Sequence, residues 1–442
     1  MNAPHASSSA NTLVPATPPL RGFDRFLRQR LLATLDSLRD GQLRIEDAGT
    51  LTTLGDTGRN AGASTPGSLH AHLRIRDPRF YRQAALNGSV GVGEAYMDGL
   101  WDCDDLVALV RLLVRNRDRL DAMETGLARL GSLAMRGLHA LARNTRAGSR
   151  RNIAAHYDLG NPLFELFLDS NLMYSSALFR DTDAALGDAA LERAAERKLQ
   201  RICAKLDLQP HHHVIEIGTG WGGFALHAAK HHGCRVTTTT ISREQYALAR
   251  QRVEAAGLSD RVEVLLRDYR DLDGRYDRLV SIEMIEAIGH QYLDTYFGKV
   301  GGLLKDDGQA LIQAITIEDH RYAQALKSVD FIKRYIFPGS FIPSVAAMTG
   351  AIARASDLRL FNLEDIGPSY ALTLRAWRER FMAKLPQVRA LGYDERFIRM
   401  WEFYLAYCEG GFLERSIGDV HLWLSKPLAR PAQFAPALAG EA

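Results

Sequence analysis

His213-Val-Ile-Glu216-Ile-Gly218-Thr-Gly220-Trp-Gly222-Gly223 is the stretch whose reading decides the fold. Its first half is an apolar run of strand length, and a glycine turn then leads into a helical pattern over 224–231. Glycines at 218 and 220 let the backbone turn sharply and lie close to a ligand. A dinucleotide enzyme places a third glycine at GxGxxG spacing, against the helix. Here Gly220 is followed by Gly222 and Gly223, which matches that pattern poorly. The acid ahead of the turn, Glu216, favours a cofactor carrying positive charge, as a sulfonium and its amino group do.

Outward from this turn, strands and helices alternate. Strand patterns at 235–240, 262–266, 276–282 and 309–315 are separated by helical patterns at 243–256 and 291–304. Such alternation predicts an α/β, doubly wound parallel sheet, with ligands beyond the carboxyl ends of its strands. Ile241, Ser242 and Gln245 follow the second strand; Asp268 and Tyr269 follow the third; Ile282 and Glu283 follow the fourth. These are candidate contacts to ribose hydroxyls and an adenine amine. From 321 to 426 the pattern is mostly helical and is expected to cap the site.

The part ahead of the sheet is of a different kind. Residues 1–20 read as a disordered leader, and 21–120 as a small α+β unit. Residues 121–151 form a basic amphipathic segment, with Arg129, Arg136 and Arg143 opposite a leucine face and six arginines from Arg129 to Arg151. A helix of this kind either packs as a solvated linker or lies on anionic lipid. The catalytic unit is then 152–426, followed by a flexible tail over 427–442.

Composition narrows the function classes. A net charge of +3 is too small to point to nucleic acid. Four cysteines without CxxC spacing fit free thiols in a reducing, cytoplasmic compartment. No apolar run reaches the roughly 18 residues of a membrane span, so a membrane role is expected to be peripheral, at the inner leaflet. Adjacent histidines at 211–213 point to alternate faces of a strand and cannot chelate one metal well, so no metal is expected.

Several further motifs carry a resemblance. They are His156-Tyr-Asp-Leu-Gly160-Asn161-x-Leu-Phe164, Tyr174-Ser175-Ser176-Ala177, Arg267-Asp-Tyr-Arg270 and Glu283-Met-Ile-Glu286-Ala-Ile-Gly289-His290. Later come Phe331-Ile-Lys-x-Tyr-Ile-Phe-Pro338-Gly339, Ile342-Pro-Ser344 and Thr373-Leu-x-x-Trp377. With the glycine turn they resemble the cyclopropane-fatty-acyl-phospholipid synthases, relatives of the mycolic acid cyclopropane synthases, over about 120–426. The region 80–101 resembles the lipid-associated N-terminal domain of longer members.

The resemblance implies a class I, Rossmann-like methyltransferase fold and an S-adenosylmethionine pocket lined by Tyr174, Ser175, Gly218, Gly220, Trp221, Ile241, Ser242 and Gln245. It also implies a bound bicarbonate ion as base, held by Ser176, Glu286, Gln313, the backbone of Ile315, and Tyr370. Well-known members carry cysteine at the position of Ser176 and histidine at that of Gln313; both replacements still donate hydrogen bonds to an oxyanion. The expected reaction converts the double bond of an unsaturated phospholipid acyl chain, at a membrane surface, to a cyclopropane.

In that chemistry a carbocation follows methyl transfer, and Tyr174, Trp221, Tyr335, Phe337 and Tyr370 are candidates to stabilise it with their ring faces. Glu286 is expected to orient the ion rather than take the proton, and of Glu283 and Glu286 one serves the cofactor and the other the ion. Three readings compete: a methyl- or methylene-branched product, methylation of a soluble acceptor at oxygen or nitrogen, and a non-catalytic lipid-binding relative. The oligomeric state, including a homodimer, is left open by the sequence.

Overall fold

The computed structural model describes residues 22–55, 68–123, 160–180 and 187–431. The basic segment, apart from its first three residues, lies outside the described residues, as do the leader and all but the first residues of the tail. Two sheets organise the chain. The first has four strands in the order β2-β1-β3-β4: β1 (Gly41–Asp47), β2 (Thr50–Gly55), β3 (Leu69–Ile75) and β4 (Trp101–Cys103). Alternate residues of β1 and β3 are buried, the period-two pattern of a sheet covered on one face. The helices Gly22–Leu35, Arg79–Met97 and Leu106–Arg115 complete this unit.

The second sheet has seven strands in the order β10-β11-β9-β8-β5-β6-β7. Strands β5 (His213–Ile217), β6 (Arg235–Thr240), β7 (Val262–Leu266), β8 (Tyr276–Ile282) and β9 (Leu304–Ile317) run parallel. Covered on both faces, β5 is apolar after its first residue, His213, except for Glu216. The threonines of β6 are buried too, and their hydroxyls are satisfied: Thr238 donates to Glu216 Oε2 at 2.6 Å and Thr239 to the Arg267 carbonyl at 2.6 Å.

The C-terminal part departs from the helical expectation. Arg359–Asp365 (β10) and Ile417–Ser425 (β11) are strands, and β11 pairs antiparallel along nine residues of β9. That pairing sets Asp419 opposite Ile315 and His421 opposite Gln313. The helices Gly367–Ala383 and Glu395–Leu413 pack on each other beside the sheet.

The N-terminal unit docks on this helical part. Glu414 receives Arg111 at 2.6 Å and Arg115 at 2.8 Å. Arg399 stacks 3.9 Å from the centre of the Tyr96 ring and donates to the Trp101 carbonyl at 2.7 Å. The helix Arg79–Met97 breaks its helical geometry at Gly88 (φ 55°, ψ −135°). At Gly93 it lies so close to Phe331 that a Cβ would stand 2.4 Å from the ring. Gly93→Val is therefore expected to lower stability by about 1–3 kcal/mol through overpacking. A urea unfolding midpoint that does not move would show that the two parts do not press together there.

Candidate active site

The glycine turn forms because β5 ends in residues free to take positive φ: Gly218 at 103°, Gly220 at 52° and Gly222 at 87°. A Cβ on Gly220 would meet nothing within 4 Å, so the turn faces open space. That space is a cavity of about 1040 Å³, which runs from the turn past the ends of β8 and β9 to the N-terminal unit. Tyr174, Ser175, Gly218, Gly220, Trp221, Ile241, Gln245, Tyr269 and Ile282 are in its wall.

The structure keeps Ser242 and Asp268 out of that wall. Ser242 starts the helix Arg243–Ala255 by accepting from the backbone N–H of Gln245 at 3.2 Å. Asp268 binds the Arg270 guanidinium at 2.6 and 2.8 Å. Both residues shape the loops that carry the lining residues. Of the aromatic candidates, Tyr174, Trp221, Phe337 and Tyr370 line the cavity. Tyr335 is instead turned to Glu94, to which its hydroxyl donates at 2.5 Å.

The five groups expected around a bicarbonate ion do converge, but on carboxyl groups of the chain itself. Glu283 Oε1 accepts from the Ser176 backbone N–H at 2.8 Å and from Gln313 Nε2 at 2.7 Å, and Oε2 accepts from the Tyr370 hydroxyl at 2.6 Å. The Ile315 N–H is taken by Glu286 Oε1 at 2.6 Å. Glu286 Oε2 is buried without a partner. Gln313 Nε2 also reaches Asp419 Oδ2 at 3.0 Å, and its Oε1 meets His421 Nε2 at 3.2 Å. The Ser176 hydroxyl is turned away and donates to the Ala177 carbonyl at 2.9 Å.

Three carboxyl groups thus share one buried space, and their surroundings separate them. Burial raises all three. Glu283 is raised, yet the Tyr370 hydroxyl and the Ser176 N–H oppose that rise and favour its ionised form. Glu286 is pushed up to about 8 by burial and by the charge of Glu283. Asp419 goes well above the carboxylate range for the same two reasons. Of the three, Glu283 is the one whose hydrogen-bond donors favour the ionised form, while burial and the charge of Glu283 push Glu286 and Asp419 toward the neutral acid. Glu283 also has φ 47°, a left-handed backbone that side chains other than glycine rarely adopt.

Lys198 was unmarked in the sequence, where it reads as one more helix-surface lysine. It is fully buried and donates to the Ser175 hydroxyl at 2.9 Å. Burial pulls its ammonium down to about 8, while Glu283, Asp169, Asp419 and Glu216 hold it up. Glu216, the acid ahead of the turn, is itself pushed up to about 8 by burial.

The family model described as mycolic acid cyclopropane synthetase matches residues 144–422. The chain belongs to this family. It is 41% identical over 370 residues to tuberculostearic acid methyltransferase UfaA1 of Mycobacterium tuberculosis, covering 83% of this chain and 85% of that one. It is 39% identical over 368 residues to the cyclopropane-fatty-acyl-phospholipid synthase of Escherichia coli, covering 82% and 89%. Among solved structures it is similar to the mycolic acid cyclopropane synthase CmaA1 in complex with SAH and CTAB, at 30% identity and a TM-score of 0.57. That match spans 63% of this chain and 98% of the other, so the N-terminal unit is additional to it. The chain is therefore a lipid methyltransferase of the S-adenosylmethionine-dependent class, with the class I fold.

Because Glu216 and Glu286 titrate near 8 when folded, against an ordinary 4.5, the folded chain holds protons that the unfolded chain releases. Their contribution to stability is full below about pH 4.5 and is lost as pH rises through 8. Without cofactor, Tm is expected to fall between about pH 5 and 8, and Glu286→Gln to flatten that fall. A slope unchanged by this substitution would mean that Glu286 is ionised in the folded chain.

Proposed function

We propose that this chain transfers a methyl group from S-adenosylmethionine to the double bond of an unsaturated phospholipid acyl chain, and that Glu283 then removes a proton so that a cyclopropane closes. One observation carries the reading: a buried carboxylate, fixed by Ser176, Gln313 and Tyr370, in the wall of the cavity that also reaches the glycine turn. The open turn, with room for a ligand beside Gly218 and Gly220, suits a nucleoside-bearing ligand. When bound there, S-adenosylmethionine supplies an electrophilic methyl on a cationic sulfur.

The protein's part is positioning and proton removal. An isolated alkene is a weak nucleophile, so the cavity has to hold it in line with the methyl. The alkene π pair forms the new carbon–carbon bond, the carbon–sulfur pair stays on sulfur, and positive charge falls on the neighbouring alkene carbon. The rings of Tyr174, Trp221, Phe337 and Tyr370 line the cavity and disperse that charge. Glu283 takes a proton from the new methyl, and the freed C–H pair closes onto the cationic carbon. Its three hydrogen bonds hold the carboxylate at a fixed place, which opposes its collapse onto the cation as an ester. A separate bicarbonate ion does not fit this donor set, because Glu283 and Glu286 already occupy it.

A second reading keeps the same base. If a hydride shifts to the neighbouring carbon before the proton leaves, the same pair of electrons makes a methylene branch instead of a ring. The 41% identity to a relative named tuberculostearic acid methyltransferase favours this outcome. Contact with a lipid surface is supported by the exposed Phe23 and Phe26 on the helix Gly22–Leu35. Among the described residues no helix is long and apolar enough to cross a membrane.

The test uses ¹³C-methyl S-adenosylmethionine and vesicles of unsaturated phospholipid, with the released fatty acids read by NMR. Upfield ring-methylene signals are expected. Olefinic methylene signals would move the assignment to the branched product, and transfer only to soluble acceptors would refute the lipid reading. Glu283→Gln is expected to cut kcat by about 10²–10⁴-fold while leaving cofactor affinity within a few-fold. Glu286→Gln, which replaces a neutral acid by a neutral amide, should keep most of the turnover; the reverse ranking would make Glu286 the base.

A further inference from the structure

A cluster of metal-ligating side chains lies away from the cavity, between the helices Asp188–Lys205 and Gly223–His232. Cys203, His227 and His232 each offer a ligand atom within 4.8 Å of the other two. Gln200 Oε1 lies between the two imidazoles, 3.4 Å from His227 Nε2 and 3.3 Å from His232 Nε2. Those separations are long for hydrogen bonds, whose usual range is about 2.7–3.2 Å. They match the roughly 3.3 Å spacing of nitrogen and oxygen ligands placed about 2.0–2.1 Å from one tetrahedral ion.

The surroundings are those of a ligand set. The His232 ring also bonds the Leu208 carbonyl, which orients it, and Glu196 Oε1 lies 3.8 Å from His227 Nδ1. Cys203 is a free thiol and is fully buried, and His227 is buried. Metal binding there would draw the ligand atoms together and release the thiol proton of Cys203.

We propose that Cys203, His227 and His232 bind a zinc ion, with the amide oxygen of Gln200 as the fourth ligand. One thiolate and two imidazoles suit zinc in hardness and number. The ion would fasten together two helices that flank the cofactor side of the sheet: one carries Lys198 against Ser175, and the other begins at the end of the glycine turn. Its role is structural, and the reaction does not depend on it for chemistry.

The experiment titrates the full chain, stripped of metal by a chelator, with cobalt(II) and follows absorbance. One cobalt per chain is expected, with a thiolate-to-cobalt charge-transfer band that zinc abolishes by displacement, and a higher Tm for the zinc-loaded chain. Cys203→Ser should remove the band and His232→Ala, at a half-exposed position, should weaken binding at least tenfold. Cofactor binding at the distant turn serves as the check that each variant is folded. Absence of stoichiometric binding at micromolar cobalt would overturn the proposal. So would binding that survives Cys203→Ser without the band, which would place the ion on Glu196, His227 and His231 instead.

Discussion

Three carboxyl groups in one buried space cannot all be ionised, and the structure resolves this by giving its hydrogen-bond donors unequally. Glu283 receives three, from Ser176, Gln313 and Tyr370. Glu286 receives the Ile315 N–H, and Asp419 shares the Gln313 amide. These donors come from a loop, from strand β9 and from the helix Gly367–Ala383, so the site exists only when sheet and helical part are assembled. Antiparallel pairing of β11 with β9 is the step that brings Asp419 and His421 over Ile315 and Gln313. A fold whose C-terminal strands slipped by one residue would turn these side chains to the other face of the sheet.

The same constraint explains the strain at Glu283. A residue at φ 47° costs on the order of 1–3 kcal/mol unless the surroundings fix it. Here the backbone N–H of Glu283 is tied to the Gln313 carbonyl at 2.9 Å, and its side chain to three donors. The strained turn after β8 thereby sets a carboxylate at the carboxyl end of the sheet, where the cavity passes. The N-terminal unit closes the far part of that cavity, with Leu109, Val110 and Leu113 among its lining residues. One interior therefore joins a charged end, at the glycine turn and Glu283, to an apolar end under the N-terminal unit.

Much of this was legible in the chain. Strands β5 to β8 follow from short apolar or threonine-rich runs between helical patterns, and the glycine turn marks the cofactor end of the sheet. The five residues assigned to an ion do meet in space. What they hold was not legible, because two glutamates three residues apart look alike until the backbone at Glu283 is seen to turn left-handed. Strand β10 carries exposed Leu360, Phe361 and Leu363 and lies at the sheet edge, so it lacks the buried-strand signature, and with β11 it was lost among helices. Asp419, Lys198 and Cys203 carry no local pattern at all. Their meaning comes from pairings across 106, 23 and more than twenty residues of chain.

The central claim is that the base is a side chain of this protein and not a captured ion. The direct measurement is turnover in carbonate-free buffer, with and without added bicarbonate, for the natural chain and for Glu283→Gly. Glycine suits the left-handed backbone at this position and frees the three donors. The account predicts that the natural chain turns over equally well in both buffers, and that Glu283→Gly is inactive without bicarbonate and recovers activity when it is added. A natural chain that stops when bicarbonate is removed would contradict the account.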